Sequence, residues 1–175
     1  MEMEIRRAAP EEFAAVRGFY HSLIDAVQNR AHTVGWQKDV YPAPAFLQAS
    51  LAAGELYLAL EGGRIAGAMV LNHENNESYP GDVWQIAAAP AEILVIHALG
   101  VHPDFERRGY GRALVGRAAE LARASGSKAL RLDVLAGNTA AERLYERCGF
   151  CRRITLPMYY EDTGWTDFIL YELVL

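Results

Sequence analysis

The sequence predicts a mixed α/β (α+β) fold, and three observations carry that prediction. Strand patterns stand at both ends of the 175-residue chain, helical periods crowd its first third, and a strand, turn, helix, strand unit fills its middle. Length and composition suit one domain, residues 1–175, with a single core.

The middle unit is the most legible. Ile93 to Val101 is an apolar run rich in β-branched residues and reads as a buried strand; His102-Pro103-Asp104 stops it, because proline cannot donate to a ladder. From Gly111 onward Leu114, Val115, Ala118, Leu121 and Ala122 recur at helical spacing, with Arg112, Arg117, Glu120 and Arg123 opposite. Residues 128–134 then alternate as a strand. A strand, helix, strand succession of about 40 residues implies a right-handed crossover and a parallel pair.

The other elements follow in order. Residues 5–8 begin a strand, and Pro10-Glu11-Glu12 opens a helix, with proline in its first turn and acids at its positive end; the helix keeps its period from Phe13 to about residue 30. Residues 31–44, with His32, Trp36, Lys38 and Tyr41, have no clear period. A second helix over 44–53 stops at Gly54. Residues 55–61 and 64–71 form a hairpin around Gly62-Gly63, and residues 73–90 make a polar connection of a length that carries function or disorder. Thr139-Ala-Ala-Glu142 reads as a capping box for a helix that aligns Ala141, Leu144, Tyr145 and Cys148 and ends at Gly149. Residues 150–158 and 166–175 close the chain as a strand pair.

Charge and cysteine usage narrow the function. A net charge of −5 argues against nucleic acid as a general partner and leaves cationic small molecules open. No uncharged apolar run is long enough for a membrane span, and the first residues lack the apolar core of a signal peptide, so the expectation is a cytoplasmic protein. Cys148 and Cys151 form a lone C-x-x-C, which cannot complete a tetrahedral metal site; they read as packing residues, with no metal expected.

The turn before the central helix carries the chemistry. A helix start leaves backbone N–H groups without partners and bears partial positive charge, and Gly109 and Gly111 remove side chains that would hold a ligand away. Arg107, Arg108 and Arg112 surround the turn and suit phosphate oxygens. On these grounds the turn is a diphosphate cradle or plain turn chemistry.

Here the sequence resembles a known family. Val101-His-Pro-Asp-Phe-Glu-Arg-Arg-Gly-Tyr-Gly-Arg-Ala-Leu is similar to the acetyl-CoA-binding signature of the GNAT superfamily of N-acetyltransferases, [Gln/Arg]-x-x-Gly-x-[Gly/Ala], with Glu106 in place of Gln or Arg. Leu132-Asp-Val-Leu-Ala-Gly-Asn138, followed by Tyr145 and Gly149-Phe150, resembles that family's later strand, Asn loop and Tyr-bearing helix. The resemblance implies a mixed, mostly antiparallel sheet with a central splayed parallel strand pair, flanked by helices. It implies acetyl-CoA as cosubstrate, a primary amine as acceptor, direct transfer in a ternary complex, and a fold that often forms homodimers. Backbone groups of Leu99 and Val101 would meet the pantetheine arm, Asn138 would bond that arm or cap the helix after it, and Tyr145 would be the acid near the coenzyme sulfur.

Amine acetylation also needs a base, because an alkyl ammonium has a pKa near 10.4. His97 is the first candidate: its ordinary pKa of about 6.5 leaves it mostly neutral, and His97-Ala-Leu-Gly-Val resembles the matching strand of arylalkylamine N-acetyltransferases. Glu74 and Glu161 are secondary candidates for the base, Trp36, Glu74, Tyr160 and Glu161 are candidates for the acceptor wall, and His102 for a structural role. Two other readings compete. A dinucleotide-binding unit would share the strand, turn and helix, but Leu114 stands at its third glycine position. A coenzyme-binding sensor would keep the fold and lack catalysis.

Overall fold

The computed structural model describes residues 3–30 and 35–175, so His32 lies outside the described residues. Seven strands and four helices follow one another as β1 (Met3–Arg7), α1 (Phe13–Val27), α2 (Pro44–Ala52), β2 (Leu56–Glu61), β3 (Arg64–Asn72), β4 (Ile93–Val101), α3 (Tyr110–Ala124), β5 (Ala129–Leu135), α4 (Thr139–Arg147), β6 (Cys151–Tyr160) and β7 (Gly164–Val174). The sheet order is β1-β2-β3-β4-β5-β7-β6, and only the β4–β5 neighbours are parallel. The mixed, mostly antiparallel sheet with one central parallel pair is the predicted architecture.

Side-chain alternation assigns the faces. Leu94, Ile96, Leu130, Leu132 and Val134 pack with Leu114, Val115 and Ala118 of α3 and Tyr145 of α4. The opposite face sets Leu56, Leu58, Val70 and Ala98 against Val16, Tyr20 and Leu23 of α1 and Leu47 and Leu51 of α2. Over β5, β7 and β6 no helix among the described residues covers that second face. Tyr79, Val83 and Trp84 of the β3–β4 connection cover Met158, Phe168 and Leu170 instead.

Local departures from the sequence reading have local causes. Helix α4 is capped by Asn138, one of the two roles expected of it, rather than by Thr139 of the capping box: Asn138 Oδ1 accepts the Ala141 N–H at 3.3 Å, and Glu142 reaches back to the Gly137 N–H at 3.1 Å. Helix α1 ends at Val27, short of residue 30. The β6–β7 hairpin is longer than expected, leaving only residues 161–163 as its turn. Cys148 packs against the core, whereas Cys151 begins an edge strand and is exposed, so it is no packing residue.

The feature that positions the site is where pairing stops. Strands β4 and β5 pair only through Ile93–Ala129, Leu94–Leu130 and Val95–Arg131. Beyond Val95, β4 carries a bulge, with the register against β3 shifting between Ala68 and Val70 and Ala98 held at φ 49°. A left-handed alanine is strained and persists only where its surroundings fix it. Tyr20, almost wholly buried, does so by donating its hydroxyl to the Ala98 carbonyl at 2.8 Å.

Gly100, just past the bulge, has no room for a side chain. A Cβ there would stand 2.5 Å from Leu23 Cδ2 and 3.2 Å from Trp36 Cζ3. Gly100→Ala is therefore expected to destabilise the fold by about 1–3 kcal/mol through overpacking. Urea unfolding checks this, and an unchanged midpoint would mean that the α1 packing yields freely.

Candidate functional site

The opening between β4 and β5 is a cavity of about 270 Å³ that passes through the sheet. Ile96, Val134, Ala141 and Tyr145 line it from the α3/α4 face, and Trp36, Tyr41, Phe46, Tyr79 and Tyr160 from the other. His97, Leu99, Asp133 and Asn138 stand at the gap itself. A ligand entering from one face and a ligand entering from the other would meet inside the sheet.

The cavity gathers half of the predicted residues. Tyr145, His97, Leu99, Asn138, Trp36, Glu74 and Tyr160 all line it. Glu161 does not: it is exposed at the hairpin turn, and its neighbour Asp162 takes the place beside the cavity. Both residues lie in the turn between β6 and β7, where sequence carries no period to tell which acid faces the cavity. Val101, Arg107, Arg108, Gly109, Gly111 and Arg112 lie outside the cavity, on the strand end and the turn into α3.

That turn has the geometry expected of a helix start. Gly109 is the N-cap at φ 87°, and the first intrahelical bond runs from the Ala113 N–H to the Gly109 carbonyl at 2.9 Å. The amides before Ala113 therefore lack helical partners, and nothing lies within 4 Å of a Cβ placed at Gly109. Gly111 serves differently. A Cβ there would meet Leu144 Cδ2 at 3.1 Å, so its small size lets α3 pack against α4 rather than admitting a ligand. The arginines also divide. Arg108 is bound to Glu61 at 2.8 Å, while Arg107 is exposed, with φ at 62°. Glu106 is drawn to Arg30 at 2.6 Å. His102 caps its own short turn, accepting the Asp104 N–H at 3.2 Å, the structural role expected of it.

Within the cavity two titratable groups are desolvated in opposite senses. His97 Nε2 is 2.8 Å from Asn72 Oδ1, an atom that already accepts the Glu74 N–H, while Asn72 Nδ2 donates to Glu55. Those partners fix the amide, so Nε2 is the protonated nitrogen of a neutral ring, with its lone pair on Nδ1. Burial pulls the His97 pKa down to about 4, partly offset by a backbone hydrogen bond with Glu74.

Asp133 is absent from the acetyltransferase site expected from sequence, where it figures only as the strand acid that a dinucleotide-binding unit would use; its sequence signal is an acid in a largely apolar strand that also holds Arg131. Burial pushes its pKa up, against the opposing hydrogen bonds of two tyrosines. Tyr79 and Tyr160 donate to the same oxygen, Oδ2, at 2.5 and 2.7 Å. Asn76 orients Tyr160 with a 2.8 Å hydrogen bond. Both tyrosine hydrogen bonds thus fall on one oxygen of the carboxyl. Burial also raises the pKa of Tyr145, so this phenol holds its proton firmly.

Three carboxylates, Glu74, Asp133 and Asp162, line the cavity, and no lysine or arginine does so among the described residues. An anion would be repelled there, and a cation would find both carboxylates and the faces of Trp36, Tyr41 and Tyr160. Gln37 Nε2 donates to the Asp162 carbonyl at 2.6 Å, which ties the α1–α2 connection to the hairpin turn across this side. Among the described residues no three His, Cys, Asp or Glu side chains could hold a metal ion, and no helix is long and apolar enough to cross a membrane.

The lowered His97 pKa has a sign that can be checked. The unfolded chain takes up a proton near pH 6.5 that the folded chain refuses until about pH 4, so His97 leaves stability intact above pH 6.5 and erodes it as pH falls through that window. His97→Gln is expected to flatten the loss of stability between pH 6.5 and 4 in denaturant titrations. An unaltered slope would place the histidine in a more polar setting.

Comparison with known proteins agrees with this geometry. A model described as the Acetyltransferase (GNAT) family matches residues 21–150. The [ribosomal protein bS18]-alanine N-acetyltransferase of Escherichia coli K12 is 26% identical over 148 residues, covering 84% of this chain and 86% of that one. A mycothiol acetyltransferase from Geodermatophilus obscurus is 35% identical over 96 residues, which are 55% of this chain but only 28% of that longer protein. Among solved structures, an N-acetyltransferase from Staphylococcus aureus Mu50 superimposes with a TM-score of 0.73 at 21% identity, covering 99% of each chain. The putative acetyltransferase yncA from Salmonella typhimurium, solved with its cofactor acetyl-CoA, gives 0.72 at 24% identity over 100% of this chain and 95% of that one. The splayed central strands, the helix start after them and the match over most of the sequence lead to one conclusion: this chain belongs to the GNAT acetyltransferase family and is an acyltransferase.

Proposed function

We propose that the protein moves an acetyl group from acetyl-CoA to a primary amine, a small molecule or an amino terminus, by direct transfer in a ternary complex. One observation carries this reading: a cavity crosses the sheet between β4 and β5, with a phenol on one face and an acid cluster on the other. The residues present suit the coenzyme. Free amides before Ala113 and the open space at Gly109 would hold its diphosphate, aided by Arg107 and Arg112. Arg108, paired with Glu61, is the less available of the three. Leu99 and Val101 would offer backbone groups to the pantetheine arm as a neighbouring strand does, and Asn138 its Nδ2. When bound, the coenzyme supplies an activated thioester; everything else falls to this chain.

The amine arrives protonated, and Asp133 is the better placed base. A base works best when its pKa approaches the working pH. Burial moves the Asp133 pKa toward that range, while it leaves His97 near 4 and correspondingly weak. Oδ1 of Asp133 would bind the ammonium and take its proton, and the neutral Nδ1 of His97 would orient the amine. Trp36, Glu74, Tyr160 and Asp162 would wall the acceptor. Tyr145 carries its proton at neutral pH and would deliver it to the leaving thiolate.

Thiol release with acetyl-CoA and a panel of cationic, neutral and anionic amines tests the reading. Turnover is expected with cationic primary amines, and a panel whose only hits were anionic would refute it. Asp133→Asn and Tyr145→Phe are each expected to lower kcat about 10²-fold or more, and His97→Gln less than about tenfold. If His97→Gln proved the more damaging and Asp133→Asn neutral, the base would be His97.

A further inference from the structure

The long β3–β4 connection does the covering work of a helix, and a buried ion pair holds it down. Glu172 on β7 is fully buried and Arg131 on β5 is 5% exposed; Arg131 Nε donates to Glu172 Oε2 at 2.8 Å. Both groups then turn to the connection. Glu172 Oε1 accepts the Gln85 N–H at 2.6 Å, and Arg131 Nη2 donates to the Ile86 carbonyl at 2.9 Å. The guanidinium lies 4.2 Å over the Trp84 ring. Trp84 stands edge-on to Tyr79 at 5.6 Å, and Tyr79 donates to Asp133 Oδ2. An unbroken run of contacts thus leads from β7 through the connection to the cavity.

Burying two charges is costly, and apolar residues of similar size would fill this space at least as stably. What the pair offers that they could not is direction: a planar fork and a carboxylate fix two backbone points of the connection at once. We propose that Arg131 and Glu172 are positioning residues of the acceptor site, fastening residues 84–86 so that Tyr79 occupies one oxygen of Asp133 and leaves the other to the amine. This inference rests on the reading of the Asp133 cavity as the acceptor site.

The test uses the full chain with three variants. Arg131→Met combined with Glu172→Leu removes both charges together, so no buried ion is stranded. Arg131→Lys keeps a cation beside Glu172 but loses the fork. Tyr79→Phe removes the hydroxyl at the far end of the run. Hydrogen exchange over residues 82–88, acetyl-CoA affinity by calorimetry, and KM and kcat for the best amine of the panel are measured for each. In the double variant and Arg131→Lys, exchange at Gln85 is expected to rise about tenfold and amine KM about tenfold, with acetyl-CoA affinity within about twofold of wild type. Tyr79→Phe is expected to raise amine KM with exchange unchanged. Unchanged exchange in the double variant would overturn the fastening. Loosened exchange with unchanged amine KM, or acetyl-CoA affinity lost in parallel, would overturn the positioning role. A wild type that binds acetyl-CoA but acetylates no amine would count against the acceptor reading itself, and exchange at Gln85 alone would then uphold or reject the fastening.

Discussion

The structure depends on two parallel strands that begin paired and then part. Three residue pairs join β4 to β5, and past Val95 their facing edges have no strand between them. A buried strand edge is a demand, because backbone N–H and C=O groups away from water need partners. The bulge that drives the strands apart is a strained alanine, and a tyrosine from α1 holds its carbonyl. Such means keep a gap open through the middle of an otherwise continuous sheet, lined from both of its faces.

The electrostatics of the gap follow from its dryness. Burial favours the neutral form of any titratable group, so it makes His97 a weaker base and Asp133 a stronger one. Tyr79 and Tyr160 counter part of that drift, and by crowding onto a single oxygen they leave the other for a partner. With no lysine or arginine at the cavity wall among the described residues, an incoming ammonium is the natural counter-charge.

The parts of this account that were legible in the sequence are those written in short stretches. The β4 apolar run, the glycine turn, the period of α3 and the Gly62-Gly63 hairpin each declare themselves within about fifteen residues, where local propensity and periodicity act. The bulge at Ala98 left no signal, since alanine gives no hint of a positive φ. Asp133 was hidden for another reason: its tyrosine partners stand 54 and 27 residues away, and only the folding of the β3–β4 connection and of β6 onto one face brings them together. The double glycine illustrates a third case, where a motif was read correctly as a pattern but its two members serve different ends, Gly109 the backbone turn and Gly111 the packing of α3 on α4.

A crystal structure of the wild-type chain with acetyl-CoA tests the central claim most directly. The account predicts coenzyme running from the N-terminus of α3 into the gap beyond Val95, with its thioester beside Tyr145 and its acetyl end turned toward Asp133. Coenzyme bound elsewhere, or a gap closed by renewed pairing of β4 with β5, would contradict it.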